Sequence, residues 1–157
     1  MDTSVTIIGL IITILIGIPL FFVFRSNVIN KNKIKEIKKK YSQNNHFNFE
    51  LTESQNKKVL ALDEKNKGFL LMDFNAPEEV VTFVNLNDIA SCKLVATTEN
   101  NSAKIIKIDF EFGYKEAHKK ELVQFYTIEN EIIDQECLYE DHVLAQKWTK
   151  IITDCIS

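Results

Sequence analysis

Two hydrophobic patterns divide this chain near residue 45. Residues 5–24 form an unbroken apolar run with no charged residue. Beyond residue 45 the apolar residues come in short groups, and over 104–112 they alternate with polar residues. Period-two alternation is typical of a strand with one solvated face, because successive side chains of a strand point to opposite sides. The pattern therefore predicts a helical N-terminal segment followed by a β-rich domain.

Seven short apolar groups predict seven strands, and turn signals rich in Asn, Gly, Pro and charged residues separate them. These groups lie at residues 46–51, 58–63, 68–74, 80–86, 90–98, 104–112 and 121–128. Connections this short leave no room for the crossover helices that parallel pairing requires. We therefore expect an antiparallel meander or a small barrel.

The last segment, about 135–156, predicts one amphipathic helix. Its apolar residues recur at helical spacing and form a stripe on one face, namely Leu144, Trp148, Ile151, Ile152 and Cys155. Trp148 is the only tryptophan and lies in the middle of this stripe. We predict that Trp148 is a structural plug of the core, with Leu144, Ile151 and Ile152 beside it, rather than an exposed binding residue.

The twenty apolar residues at 5–24 have the length of a membrane-spanning helix, since twenty helical residues span about 30 Å. A cleaved secretory signal would need a basic start and a small-residue cleavage site, and "MDTS" and "FVFRSN" supply neither. A buried helix of a small domain is the other alternative, but it seldom has twenty uncharged residues in succession. We predict a transmembrane helix at 5–24, with residues 1–4 as a short extracytoplasmic N-terminus.

A basic juxtamembrane stem follows at residues 25–45. It has seven membrane-flanking basic residues against a single acid: Arg25, Lys31, Lys33, Lys35, Lys38, Lys39 and Lys40. By the positive-inside rule, this flank predicts an N-terminus outside and a cytoplasmic domain at the inner (cytoplasmic) membrane of a bacterial cell. The stem is either a flank that only fixes topology or an interfacial helix lying on anionic headgroups, and the two roles are compatible.

The domain at residues 46–157 is acidic. From residue 41 onwards the chain has 12 Lys, no Arg and 20 Asp plus Glu, a net charge of −8. Binding to nucleic acid requires a basic face that meets the phosphates. The charge balance therefore predicts no nucleic-acid partner.

Residues with catalytic or metal-binding chemistry are scattered. His142 follows Cys137 by five positions, but no second pair completes a zinc set. Cys92 and Cys155 occupy apolar positions, where cysteine is usually a small core residue. With only four glycines the chain has no glycine-rich phosphate loop. We predict no catalytic residues, no metal site and no cofactor, and hence a protein that is not an enzyme.

The order of strands and helix resembles the pleckstrin-homology-like fold. "LAQKWTKII" looks like the final helix of that family, "VLALDEKNKGFLLMDF" looks like its first or second hairpin, and "VNLNDIASCKLV" looks like a link between strands, with Ile89 turning back into the core. The resemblance covers residues 46–156. It implies an α+β domain, a seven-stranded antiparallel barrel or roll capped by one C-terminal helix, which follows the N-terminal transmembrane α-helix predicted from the apolar run.

Members of this family are known for binding phosphoinositide headgroups through basic residues of the first hairpin loop. Here that loop would be "DEKNKG", in which Lys65 and Lys67 stand beside acidic residues, and the domain has no arginine for a bidentate phosphate clamp. The sequence thus departs from the lipid-binding pattern.

The resemblance and the charge balance together favour a membrane-tethered, non-catalytic interaction module that binds a protein or peptide partner near the inner leaflet. The candidate surfaces are an exposed strand edge and the loops that carry Lys65, Lys67, Tyr114 and His118. The alternative is a membrane-surface lipid sensor that uses the basic stem and the barrel loops.

Overall fold

The computed structural model describes residues 13, 15–16, 31–42, 46–75, 79–99, 104–116, 119–128 and 131–157, the last range without the side chains of 131–137. The chain divides into two compact units, Met1–Tyr41 and Ser42–Ser157. In the first unit, residues 31–41 are helical and are called α1 here. The remaining elements belong to the second unit.

The first sheet has four antiparallel strands, each paired with the next along the chain. They are β1 Leu51–Gln55, β2 Lys58–Asp63, β3 Gly68–Asp73 and β4 Val80–Asn85. The turn between β1 and β2 has only two residues, Asn56 and Lys57, with φ angles of 47° and 59°. Positive φ at both central residues is the mark of a type I′ turn, whose twist matches that of the strands it joins.

The second sheet has three antiparallel strands and follows a single turn of 3₁₀ helix, η1, at Leu86–Asp88. Its strands are β5 Ile89–Thr98, β6 Ile105–Tyr114 and β7 Lys120–Thr127, in that order. The chain then forms one long helix, α2, at Glu131–Ile156. The sequence pattern placed the start of this helix about four residues later.

One hydrophobic core lies between the two sheets and α2. Its largest fully buried side chains are Trp148, Phe69, Phe110, Phe112 and Phe125. The Phe69 ring lies 6.0 Å from both the Phe110 ring and the Trp148 ring. Such aromatic pairs add about 0.5–1.5 kcal/mol to the stabilisation from burial. The core therefore joins both sheets to the helix through a few aromatic contacts.

The outer face of the first sheet is also apolar around β2 and β3. Cross-strand pairs Val59–Met72 and Ala61–Leu70 are buried there, whereas alternation alone would predict a solvated face. Phe47 and Phe49 add to this apolar face, and the Phe47 ring packs edge-on against that of Phe83, with the ring centroids 5.0 Å apart. These two phenylalanines lie in the predicted first strand, 46–51, but the ladder begins at Leu51 and runs to Gln55.

Gly68 is required by this packing. A Cβ atom at Gly68 would lie 2.5 Å from Cδ1 of Phe47, far inside van der Waals contact. The glycine at the start of β3 therefore permits the Phe47 ring to lie directly on the backbone.

The prediction of seven antiparallel strands followed by one C-terminal helix is confirmed. The predicted barrel or roll is wrong, because the described strands form two open sheets of four and three strands. The chain leaves the first sheet through η1, and β5 then pairs with β6 and not with β4. Alternation reports which face of a strand is buried, but it does not report which edges pair.

The predicted transmembrane helix also needs correction. Among the described residues, no helix is long and apolar enough to cross a membrane. Of residues 5–24 the structure describes only Thr13, Leu15 and Ile16, and the rest of that predicted span lies outside the described residues. By this finding the prediction of a membrane-spanning helix is wrong for the part of the chain that the structure describes. The integral membrane association, the topology and the inner-membrane location that depended on it are withdrawn.

Candidate functional site

The loop between β2 and β3 is built around the carboxylate of Asp63. Its oxygens accept hydrogen bonds from the backbone N–H and side-chain amide of Asn66, at 3.0 and 2.7 Å, and from the backbone N–H of Asn48 at 2.6 Å. Burial opposes ionisation of this carboxyl, but the hydrogen bonds prevail and its pKa lies below the ordinary value. The loop is therefore held in one conformation, with Lys67 at φ 57°.

Hydrogen bonds join this loop to η1 and to the loop between β6 and β7. The Asn87 side-chain amide donates to the Asn66 carbonyl at 3.0 Å. Lys115 Nζ donates to the Asn87 carbonyl at 2.7 Å, and the Lys115 backbone N–H donates to the Asp88 carbonyl at 2.9 Å. The structure thus brings the loops of Lys67 and Tyr114 to the same end of the domain.

The polar groups at this end are mostly engaged with the protein itself. Lys67 Nζ donates to the Ile156 carbonyl at 3.2 Å, and so supplies a hydrogen-bond donor to a carbonyl in the last turn of α2. The Tyr114 hydroxyl donates to Glu121 at 2.5 Å, and this hydrogen bond raises the pKa of Tyr114 to about 12. Lys119 lies over the Tyr114 ring, 4.8 Å from its centroid. His118 lies outside the described residues.

The geometry does not assemble an anion clamp from these residues. "DEKNKG" connects β2 to β3 and is the second hairpin loop, whereas the first hairpin closes in the two-residue turn of Asn56 and Lys57. Lys65 is exposed at the tip of the second loop, next to the exposed Glu64. This position and charge balance favour a solvated turn for Lys65.

The predicted core residues lie on one face of α2. Leu144, Trp148 and Ile152 are buried, and Ile151 packs against the same cluster with partial exposure. The indole N–H of Trp148 donates to Glu53 Oε2 at 2.8 Å, and Lys147 Nζ contacts the same carboxylate at 2.8 Å. Glu53 in β1 was not singled out from the sequence, because its partners lie 94 and 95 residues away.

The basic stem residues from Lys31 to Lys40 lie in α1, and Arg25 lies outside the described residues. They remain a prediction as membrane-flanking groups.

The two described thiols are not suited to nucleophilic chemistry. Burial raises the pKa of the Cys92 thiol to about 12 and also raises that of Cys155. A raised pKa keeps a thiol protonated at neutral pH, and the thiolate is the nucleophile. Within the part of the chain that the structure describes, no three His, Cys, Asp or Glu side chains come together to hold a metal ion.

The edge of β5 is the longest regular strand edge in the described part of the domain. β5 pairs with β6 along one side, and no described strand pairs along the other. Between the register shifts at its two ends, the segment 91–97 is regular and has Lys93 as its only charged residue. Among the strands, α2 packs most extensively against β5.

The outer face of the second sheet contains a buried carboxylate that sequence reasoning missed. Asp109 in β6 is 2% exposed, although it alternates with Ile108 and Phe110, which face the core. Its Oδ2 accepts from Lys107 at 2.8 Å, and its Oδ1 has no hydrogen-bond partner among the residues that the structure describes. In the alternating pattern of 106–112, Asp109 is one of three polar positions, with Lys107 and Glu111, and nothing in the sequence indicates its burial.

No family model, no curated protein and no solved structure matches this chain.

Proposed function

We propose that residues 46–157 form a non-catalytic interaction module of the pleckstrin-homology-like class that binds an extended segment of a protein partner along β5. The order of elements supports this class: four antiparallel strands, three antiparallel strands, and a C-terminal helix with a buried tryptophan. Seven strands and one helix are an architecture that carries many functions, so the function must be argued from the surface.

The observation that carries the proposal is the edge of β5 along which no described strand pairs. A strand edge presents a row of backbone N–H and C=O groups that can pair with another chain. In strand addition, this pairing supplies affinity and the side chains of alternate residues supply specificity. The exposed residues of β5 are mostly small and uncharged, namely Ala90, Ser91, Ala96, Thr97 and Thr98. Small side chains leave room for a partner backbone to approach.

The other described edges are less suited to strand addition. β7 has a register shift within the strand, after Gln124, which discourages pairing, whereas the register shifts of β5 lie at its two ends. β1 has five residues and β4 has six, against ten in β5. A longer edge can form more backbone hydrogen bonds with an added strand.

The small exposed side chains of β5 are also the reason for proposing a non-catalytic role. Ala, Ser and Thr along the β5 edge do not supply a general acid or a metal ligand, and Cys92 faces the core in protonated form. A reaction would need a nucleophile and a base within hydrogen-bond distance of each other.

Site-specific photocrosslinking in intact cells tests this proposal. A photoreactive amino acid replaces Thr97 in β5 or, as the matched control, the exposed Thr52 in the edge strand β1. We expect a protein crosslink at Thr97 and none at Thr52, and the crosslinked segment, made as a peptide, should perturb the backbone amide signals of β5 in the full chain. Equal crosslinking at both positions, or crosslinking of lipid alone at Thr97, would contradict the proposal.

A further inference from the structure

A charged oxygen without a partner is unusual inside a folded protein. Buried polar groups almost always have a hydrogen-bond partner, and each exception calls for an explanation. Asp109 Oδ1 is such an exception, since it is buried and accepts no hydrogen bond from the described part of the chain. An ionised carboxylate can accept several donors, and this one accepts from a single side chain, Lys107.

Nearby cations of the domain do not satisfy this oxygen. Lys107 reaches only Oδ2, with 35% of its own side chain exposed. Lys120 on the neighbouring strand pairs with Glu111 at 2.9 Å instead. The outer face of the second sheet therefore has a carboxylate with unused acceptor capacity, in an acidic domain.

The strand register places Asp109 within reach of the β5 edge. Val95 in β5 lies directly opposite Asp109, and Gln124 in β7 lies opposite it on the other side. A strand added to β5 would be two strand spacings from β6, about 9.5 Å between backbones. An extended arginine or lysine side chain of the added strand spans most of that distance, and the side chain of Asp109 spans the rest. A side chain that approaches Asp109 from the β5 side passes only the short side chain of Val95. One that approaches from the β7 side passes the longer side chain of Gln124.

A break in the ladder lies beside the same carboxylate. Between Ile108 and Asp109 the register with β7 shifts, so that Tyr126 is opposite Ile108, Gln124 is opposite Asp109, and Phe125 has no opposite residue. Bulges of this kind re-aim side chains and are frequent next to functional sites. Here Phe125 and Tyr126 both belong to the core, and the ladder on the outer face is interrupted next to Asp109.

We propose that the partner segment on β5 carries a basic residue beside Val95, whose side chain reaches across Val95 and donates to Asp109 Oδ1. This inference rests on the proposed function and adds the chemistry of the partner to it. Charge complementarity selects the partner, since a neutral residue at that position could donate a hydrogen bond but would bring no positive charge to the carboxylate. Lys107, whose contact is with Oδ2, leaves Oδ1 as the oxygen that accepts the new donor.

A peptide library tests the inference on the full chain. The probe is a set of blocked nonapeptides with Thr, Val, Ser and Ile at random in the flanking positions, and with either arginine or neutral citrulline at the centre. We expect arginine peptides to be enriched at least about tenfold over citrulline peptides in the bound fraction, since close charge pairs at interfaces reach such factors. Bound peptides should perturb the amide signals of β5.

Matched variants assign the preference to one carboxylate. Asp109→Asn should abolish the enrichment, and Glu111→Gln, an outer-face acid already paired with Lys120, should retain it. If Asp109→Asn fails to fold, Lys107→Met serves instead, and removal of the competing cation should increase the enrichment. Peptides that bind at β5 with no preference for arginine, or a preference that persists in Asp109→Asn, overturn this inference alone. A library from which nothing binds at β5 contradicts the proposed function itself.

Discussion

Trp148 shows how far a single residue could be interpreted from the sequence. Its spacing with Leu144 and Ile152 predicted a core position, and in the structure its side chain is fully buried. The sequence could not supply the partner of its indole N–H, Glu53 Oε2 at 2.8 Å, because β1 and α2 meet only in the folded chain. Periodicity is a local signal, and long-range hydrogen bonds leave no trace in it.

Truncation of this side chain should destabilise the domain severely. Trp148→Ala removes a large buried side chain and leaves Glu53 without one of its donors, which should cost about 3–5 kcal/mol in unfolding free energy. Tyr139→Ala, at a 77% exposed position on the same helix, is the control and should cost well under about 1 kcal/mol. Urea denaturation followed by circular dichroism measures both. A folded Trp148→Ala variant with near-native stability would refute the core assignment.

Glu53 should make stability depend on pH. The hydrogen bond from Lys147, together with that from Trp148, lowers the pKa of this carboxyl against the opposing effect of burial. A group with a lowered folded-state pKa stabilises the fold above its unfolded pKa, and this contribution is lost as the pH falls through the folded pKa. The unfolding free energy of the native chain should therefore fall more below about pH 4.3 than that of Glu53→Gln. The exposed Glu140→Gln variant should follow the native curve, and a Glu53→Gln curve parallel to the native one would count against the effect.

At the scale of elements, the β1–β2 hairpin and α2 are the informative cases. The first predicted strand was placed at 46–51, but the hydrophobic signal there comes from Phe47 and Phe49, which pack beside Phe83 and do not belong to the ladder. The sequence at the hairpin, "QNKK", lacks the glycine that marks most type I′ turns. A strand with a polar sequence, such as "LTESQ", offers no alternation from which to predict it.

The turn offers a stabilising substitution. Lys57 has φ 59°, a conformation that costs a side-chain-bearing residue about 1–2 kcal/mol and glycine little. Lys57→Gly should therefore raise the unfolding free energy by roughly 0.5 kcal/mol, after the entropic cost of glycine. Lys65→Gly, in a loop position without positive φ, should lower it or leave it unchanged. Thermal unfolding measures the stability of both variants, and a loss of stability in Lys57→Gly would argue against the type I′ turn.

A buried ion pair fastens α2 to the same hairpin. Lys58 Nζ lies 3.0 Å from Asp141 Oδ2, the Asn56 side chain donates to Asp141 Oδ1 at 2.9 Å, and Lys58 faces the rings of Phe125 and Tyr126 at 5.7 and 5.3 Å. The side chain of Asp141 is completely buried, although aspartate is seldom buried unless it is paired. Its complete burial could not be predicted, because its partner is 83 residues away.

Replacing one residue of the Lys58–Asp141 ion pair should lower the unfolding free energy more than replacing both. Lys58→Met leaves the carboxylate of Asp141 buried without its cation and should cost about 3–5 kcal/mol, whereas the double variant Lys58→Met with Asp141→Leu should recover most of that loss. A double-mutant cycle in urea isolates the coupling between the two residues. Additive costs in the cycle would mean that the pair contributes no coupling.

For the whole molecule, the sequence supplied the number and order of strands and the final helix, because alternation and helical periodicity are carried by neighbouring residues. It did not supply two open sheets instead of a barrel, since that depends on β5 pairing with β6 alone. The candidate contact surface follows from this pairing, because an open sheet has edges and no described strand pairs with the outer edge of β5. Nor could the sequence show that Asp109 is buried with an unpaired oxygen, which distinguishes the outer face of this sheet.

Backbone hydrogen exchange of the full chain, with and without the partner segment found by crosslinking, tests the central claim most directly. If the partner adds a strand to β5, outward-facing amides within residues 91–97 should become strongly protected, while those of the edge strand β1 keep their exchange rates. New protection on β1 or on the loop that carries Lys65 and Lys67, with none on β5, would contradict the account.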